Sequence, residues 1–167
     1  MKSLLLGALA GLAATAPMSV AMKLMHERLP REEQYPLPPR AVTMELAAGV
    51  GLDEQMDEPA REAATWAAHF GYGAACGAAY GALAGSVNSR AGATRVPPVL
   101  AGASFGLAVW AGSYLGWLPA AGLLRPATEH PPRRVALMVA AHLVWGAAAG
   151  LALDALSSAA GREGKGE

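Results

Sequence analysis

Cysteine is almost absent from this 167-residue sequence, in which Cys76 is the only one. A single thiol excludes an intrachain disulfide framework and a paired-thiol metal motif. An excess of charge of one sign is also lacking, because 13 basic side chains balance 13 acidic ones. A formal net charge of zero therefore indicates no nucleic-acid partner.

Charged side chains are missing from four long stretches that together hold 95 of the 167 residues: 3–22, 63–89, 96–124 and 135–153. Each stretch is close to the roughly 20 residues that a helix needs to cross about 30 Å of hydrocarbon. This pattern largely excludes a water-soluble enzyme. It predicts an all-α integral membrane protein, embedded in the lipid bilayer, with four transmembrane helices at about 3–25, 61–87, 97–118 and 133–156.

The longest polar segment lies between helices one and two and carries an inserted surface segment at 40–60. Within it Val42, Leu46 and Val50 recur at a spacing of four. This spacing suits a short interfacial amphipathic helix that lies on the bilayer. We therefore predict a single membrane domain over 1–167, with a flexible polar tail at 157–167.

An internal repeat is visible. The nine residues from His69 align without gaps with 142–150, and both runs contain a histidine, an aromatic residue and Gly-Ala-Ala-x-Gly. Pro-Pro-Arg-x-Val at 38–42 recurs at 131–135, and Leu-Pro at 29–30 recurs at 118–119. We predict a tandem duplication of a two-helix unit, with repeat one at about 3–87 and repeat two at about 97–156. Each unit has two spans, so both units enter the membrane from the same side. The axis that relates the two units should therefore lie along the membrane normal.

Three runs carry a family resemblance: Tyr-Pro-Leu-Pro-Pro-Arg at 35–40, His69 followed by small residues and Tyr80, and Ala-His-Leu-Val-Trp at 141–145. Over about 9–156 the sequence resembles the YagU-like family of small bacterial inner-membrane proteins. The resemblance implies four spans in the inner membrane with both termini in the cytoplasm, and it implies no reaction. Lysine and arginine number eight on the membrane face of the first loop and five on the other. This count alone favours the opposite orientation. We follow the resemblance and expect cytoplasmic termini.

His69 and His142 are the sharpest candidates for a site. Each lies eight residues after an arginine, so both should lie at one depth, roughly 12 Å below the charges of the first-loop face. Each also begins a stripe of residues four apart on one helix face. The stripes contain Gly73, Gly77, Gly81 and Gly85 after His69, and Gly146 and Gly150 after His142.

Three roles stay open for these histidines. The imidazoles could hydrogen bond across the bundle, to each other or to Tyr72, Tyr80 or Ser113. They could instead hold a haem or a metal ion as a bis-imidazole pair, which leaves the cofactor unknown, or act as proton-sensitive groups. A shared metal site of His26, His130 and neighbouring glutamates on the first-loop face is weaker, because no His-x-x-x-His spacing accompanies it. We predict no metal site.

Catalytic motifs are absent: the sequence has no Gly-x-Ser-x-Gly, phosphate loop or His-Glu-x-x-His. We therefore predict no catalytic residues and no enzyme. Further glycines should let the helices pack closely, and they outnumber what one small bundle must bury: Gly7, Gly11, Gly102, Gly106, Gly112 and Gly116. A homo-oligomer or a larger membrane complex is expected. The leading prediction is a scaffold or accessory subunit; the alternative is a histidine-based haem- or metal-binding or proton-linked transport protein.

Overall fold

A computed structural model describes residues 1–88 and 96–163, which form helices and turns without a β-strand. Helix α1 spans Lys2–His26, α2 spans Pro38–Gly49 and α3 spans Glu58–Asn88. Helix α4 (Pro98–Ala111) continues through a π-helical turn (Gly112–Trp117) into the short helix α5 (Leu118–Ala120). Helix α6 spans Pro132–Glu163. The prediction of an all-helical chain is confirmed for the described residues.

Three helical stretches are long and apolar enough to cross a membrane: Lys2–His26, Pro98–Ala120 and Pro132–Arg162. They correspond to the expected first, third and fourth spans, and they make the chain compatible with a multi-pass membrane protein. The expected second span corresponds to α3, which has 31 residues. It is not among the three, because its many glycines, His69 and its charged first turns lower its mean hydropathy.

The end of α6 corrects one expectation. Residues 157–163, predicted to belong to a flexible polar tail, continue this helix to Glu163. Leucine and alanine dominate the run from Leu151 to Ala160, and both are strong helix formers. The Lys2 ammonium donates a hydrogen bond to the Ala160 carbonyl oxygen at 3.2 Å. The beginning of α1 therefore stabilises the end of α6, while the rest of the predicted tail lies outside the described residues.

The long helices form a bundle with one open side. Helix α1 packs against both α3 and α6, and α4 packs against α6, whereas α3 and α4 barely touch. The chain therefore forms two hairpins, hairpin one (α1 and α3) and hairpin two (α4 and α6), joined through α1 and α6. The seam between α3 and α4 stays largely open.

Glycines bring the helices of each hairpin into backbone contact. A Cβ atom built on Gly77 would meet the Gly7 carbonyl oxygen and would lie 2.6 Å from the Gly11 Cα. In hairpin two, a Cβ on Gly146 would meet the Gly102 carbonyl oxygen and would lie 3.0 Å from the Gly106 Cα. Both hairpins thus depend on the absence of a side chain. A Cβ on Gly81 would likewise meet the Ser3 carbonyl oxygen and one on Gly150 the Pro98 carbonyl oxygen, while one on Gly73 would meet the Thr15 side chain.

The glycines of the π-helical turn do not take part in this packing. A Cβ atom on Gly112 or Gly116 would meet nothing within 4 Å, so the close contact expected at these two positions is wrong. Pro119 cannot donate a backbone hydrogen bond to the preceding turn, and Gly116 leaves helical geometry at φ −117°, ψ −107°. The wider turn buries both Ser113 and Tyr114 on the inner side of the bundle.

The glycine contacts make a sharp test of hairpin one. We expect Gly77→Ala to destabilise the protein by about 1–3 kcal/mol, because the added methyl group has no room between the two backbones. Gly71→Ala is the matched control on the same helix, where a Cβ meets nothing within 4 Å. It should be neutral or stabilising by up to about 1 kcal/mol. Unfolding of the detergent-solubilised variants measures both changes, and equal stability would mean that α1 and α3 do not touch at Gly77.

Candidate functional site

A cavity of about 210 Å³ lies inside the bundle, at the first-loop end of the open seam. Helices α1 and α6 form its floor, while α3 and α4 with the π-helical turn form its walls. Helix α2 covers it from the loop side. The lining residues from these elements include Thr15, Met18, Met22, Val42, Leu46, His69, Tyr72, Cys76, Val109, Ser113, Tyr114, Met138, His142 and Trp145.

The cavity begins where the glycine contacts end. Gly73 is the glycine of its stripe nearest to the first loop, and its Cβ position would meet the Thr15 hydroxyl oxygen. One turn before it on α3 lies His69, and one turn before Gly146 on α6 lies His142. Both histidines line the cavity. Larger side chains hold the helices apart beyond the glycines. The space between the two hairpins follows from this change in residue size.

His142 is held in one tautomer by its own helix. Its Nδ1 lies 2.7 Å from the Met138 carbonyl oxygen, and because a carbonyl only accepts, Nδ1 carries the hydrogen and donates it. In the neutral ring the other nitrogen, Nε2, is then an unprotonated acceptor. The imidazole is 6% exposed, and it meets the Tyr114 ring edge-on with centroids 5.7 Å apart. Its orientation is therefore fixed from two sides.

His69 lines the same cavity, but its Nε2 is buried and has no hydrogen-bond partner among the described residues. A buried polar atom without a partner costs about 1–3 kcal/mol. The structure thus brings the two repeat histidines together at one cavity. It does not show the cross-bundle hydrogen bonds expected from one of the three roles: Tyr72 bonds to Ser113, and His142 bonds within α6.

The cavity reaches the surface of the bundle at α2, α3 and the π-helical turn. Three residues at its edge are well exposed: Leu46 at 51%, Trp117 at 44% and Tyr72 at 41%. The hydroxyl of Tyr72 lies 2.9 Å from Ser113 Oγ and accepts a longer contact of 3.4 Å from Trp117 Nε1. These side chains bridge α3 and the π-helical turn beside the opening. On the far side, the rings of Tyr80 and Phe105 close the seam with centroids 5.1 Å apart.

Helix α2 presents its apolar residues to the cavity as well as to the outside. Val42 and Leu46 line the cavity, while Val50 is 70% exposed. An ion pair of 2.8 Å between Arg40 and Glu58 ties α2 to the start of α3. The spacing of four in the sequence indicated an apolar face but could not show that part of it covers a cavity.

Arg134 is a residue that the sequence analysis missed as a structural anchor. It is 5% exposed, and its guanidinium donates to the carbonyl oxygens of Glu33, Tyr35 and Pro36 at 2.7, 2.9 and 3.1 Å. The guanidinium carbon also lies 3.5 Å from the centroid of the Tyr35 ring. A residue of hairpin two thus fixes the first loop above the cavity.

The spacing shared by the two repeat histidines contained a signal for this role. Arg61 lies as far before His69 as Arg134 lies before His142. Arg61 also donates to loop carbonyls, those of Asp53 at 2.7 Å and Met56 at 3.0 Å. Both arginines therefore bind backbone carbonyls of the first loop, at the same end of the bundle.

His130 and Tyr35 join the second loop to the first. His130 Nε2 lies 3.2 Å from the Arg125 carbonyl oxygen and must donate to it, so the neutral ring accepts at Nδ1 from the Tyr35 hydroxyl at 2.9 Å. His26 Nε2 lies 3.1 Å from the Tyr35 carbonyl oxygen. These histidines serve loop contacts, and no three His, Cys, Asp or Glu side chains among the described residues form a metal-binding group.

The volume of the cavity limits what it can hold. It exceeds the roughly 150 Å³ of a cavity that binds benzene and is below the about 300–1,000 Å³ of sites for drug-sized ligands. A haem macrocycle is too large to be enclosed by it. The arrangement fits one ring or a short branched chain, with polar contact at the two imidazoles.

No family model, no curated protein and no solved structure matches this chain.

Replacing Arg134 tests the anchoring of the first loop. Arg134→Lys keeps the charge but loses the planar fork that reaches three carbonyl oxygens. We expect it to cost about 1.5–3 kcal/mol of stability and to speed proteolysis within 27–37. Arg133→Lys, at the exposed neighbouring position, is the matched control and should change stability by less than about 0.5 kcal/mol. Similar behaviour of the two variants would contradict the anchoring role.

The His130 contact predicts a pH dependence of stability. Burial lowers the pKa of His130 from its ordinary value of 6.5, and the positive charges of Arg125 and Arg134 act in the same direction. Below pH 6.5 the unfolded chain binds this proton more readily than the folded one, so the contribution of His130 is complete above pH 6.5 and is lost as the pH falls. Thermal unfolding between pH 7.5 and 5 should show this loss. A His130→Gln variant with an equally steep profile would contradict the assignment.

Proposed function

We propose that the chain spans the membrane four times. In this proposal α3 is a transmembrane helix in addition to the three apolar stretches described above. Two observations support this proposal. Residues 63–88 of α3 carry no charged side chain, and α3 contacts α1 backbone to backbone from Gly73 to Gly81. A helix that packs so closely along an apolar helix shares its depth in the bilayer.

The position of α2 also belongs to this proposal. Its exposed apolar residues, Leu46 and Val50, favour an interfacial amphipathic helix lying in the plane of the membrane. The similar packing of the two hairpins supports a tandem duplication. From the resemblance to the YagU-like family we propose the bacterial inner membrane as the location, with both termini in the cytoplasm.

We further propose that the protein is a non-enzymatic binding protein for a small apolar molecule dissolved in the bilayer. The cavity is the observation that carries this proposal: it is lined mainly by apolar side chains, reaches the surface beside the exposed Tyr72 and Trp117, and is lined by two imidazoles. Concave apolar sites with few polar groups are typical of small-molecule binding. This proposal differs from the histidine-based haem- or metal-binding alternative, which stays a prediction.

A scaffold or accessory role with a second copy or a larger complex remains a prediction. It was based on an excess of glycine faces. Most of these glycines already contact a partner helix within the chain, and of the predicted packing positions Gly112 and Gly116 stay open. A proton-linked role for the two histidines also remains a prediction.

Fluorobenzene in lipid nanodiscs tests the binding proposal by fluorine NMR. We expect a saturable bound signal, distinct from the lipid-dissolved probe, with a dissociation constant on the order of 1 mM, equivalent to about −4.1 kcal/mol. A one-ring ligand has too few atoms for much tighter binding. Absence of a saturable signal from the folded protein would contradict the proposal.

Two variants that fill the cavity locate the bound probe. Cys76→Phe fills it from α3 and Val109→Phe from α4, and each should remove the bound signal, because both residues line the cavity. Leu83→Phe is the matched control, since Leu83 lies on α3 and is 56% exposed. Loss of the signal only in this control, or persistence in both filled variants, would mean that the probe binds elsewhere.

A further inference from the structure

We infer that the cavity recognises a ring hydroxyl, so that its ligand is a membrane-dissolved phenol-type headgroup held between His69 and His142. This inference rests on the proposed binding function and adds the chemical class of the ligand. The argument starts from the hydrogen-bonding capacity of the two imidazoles, which differ although the sequence around them repeats.

His142 can only accept a hydrogen bond from a ligand. Its Nδ1 hydrogen is committed to the Met138 carbonyl oxygen, so the neutral ring has a lone pair and no hydrogen at Nε2. An acceptor in the wall of an apolar cavity favours an occupant that brings a donor. Ketones, ethers and esters bring none.

His69 provides the complementary contact. Its Nε2 is buried without a partner, and no hydrogen bond fixes its tautomer among the described residues. With a hydrogen on Nε2 and the ring turned toward the cavity, His69 donates to the occupant. A hydroxyl group is the smallest group that satisfies both rings, because its hydrogen goes to His142 and its oxygen accepts from His69.

Three other hydroxyls that line the cavity are already engaged. Thr15 Oγ1 donates to the Gly11 carbonyl oxygen at 2.9 Å, and the hydroxyls of Tyr72 and Ser113 bond to each other. These three side chains therefore have less hydrogen-bonding capacity left for a ligand than the two imidazoles have.

The rest of the lining indicates a ring rather than water alone. Met18, Met22 and Met138 line the cavity together with the rings of Tyr114 and Trp145. Methionine sulfur and aromatic faces contact aromatic rings favourably, whereas water needs two to four polar partners. The volume of about 210 Å³ accommodates one six-membered ring with its substituents. An apolar tail on that ring would leave beside Tyr72 and Trp117, where the cavity reaches the surface.

Three probes of similar size separate the hydroxyl contribution from simple apolar burial. We expect 4-fluorophenol to bind about tenfold more tightly than 4-fluorotoluene in nanodiscs, after correction for partition into the lipid. 4-Fluoroanisole, which can accept but cannot donate, should bind no better than 4-fluorotoluene. Fluorine NMR titration of the full chain measures all three. If the phenol shows no preference over 4-fluorotoluene, the inference is wrong while the proposed function stands; if none of the probes binds, the proposed function itself is wrong.

Histidine variants then assign the preference. His142→Phe and His69→Phe should each reduce the ratio of 4-fluorophenol to 4-fluorotoluene affinity, measured within the same variant, from tenfold to about onefold, and the double variant should lower this ratio no further, because one hydroxyl uses both rings. His130→Gln, outside this cavity, is the control and should keep the preference. A preference that survives in both single variants would overturn the assignment. If a variant fails to fold, the probe series on the unmodified protein still decides the inference.

Discussion

Backbone contact between glycines is the constraint on which the rest of this structure depends. In each hairpin the two helices approach until a Cβ atom would collide with the partner's carbonyl oxygen, as at Gly77 and Gly146. Apolar attraction between helices is weak in lipid, so such close van der Waals contact replaces it. The contact also fixes where the helices must separate. Beyond Gly73 and Gly146 the stripes continue with histidine, and the volume of the larger side chains opens the cavity between the hairpins.

The indole of Trp145 shows how the two hairpins are joined at that point. It is 3% exposed, and its Nε1 donates to the Gly11 carbonyl oxygen at 3.1 Å. A buried indole N–H needs an acceptor, and glycine leaves its carbonyl accessible because no side chain shields it. The same residue that permits contact with α3 therefore also receives a hydrogen bond from α6. Small residues on α1 thus serve both neighbours, which explains why α1 lies between α3 and α6.

Much of the fold could be predicted from the sequence, because charge-free runs and glycine spacing are local properties. The runs located four long helices, and the stripes from Gly73 and Gly146 indicated close helix contact. The lower hydropathy of α3 comes from its glycines, and the helical continuation to Glu163 comes from strong helix formers. The length and charge of a run measure neither property. The π-helical turn was also missed, because Gly112 and Gly116 have the same spacing as a packing stripe. Only the surrounding structure shows that nothing lies against them.

The candidate site was predictable in its residues but not in its shape. Equal spacing from Arg61 and Arg134 indicated one depth for His69 and His142, yet a cavity depends on side chains from five helical segments that are far apart in sequence. The equal spacing of Arg61 and Arg134 from the histidines indicated the two arginines but not the burial of Arg134, because its partners are backbone carbonyls, whose positions residue identity does not give. For the same reason, the sequence does not show that helix α2 is held as a cover.

The difference between the two histidines shows what a repeated sequence leaves undetermined. His142 Nδ1 bonds to the carbonyl oxygen of Met138, four residues earlier. The residue four before His69 is Thr65, whose own hydroxyl donates to the Arg61 carbonyl oxygen at 2.7 Å. Helix α2 packs against α3 and has no counterpart over α6 among the described residues. The two imidazoles therefore occupy different surroundings: one is fixed as an acceptor, and the other is left with an unsatisfied nitrogen. Two equivalent rings would form a symmetric pair suited to a metal ion or to each other, whereas two unlike rings are complementary to a single group that donates and accepts.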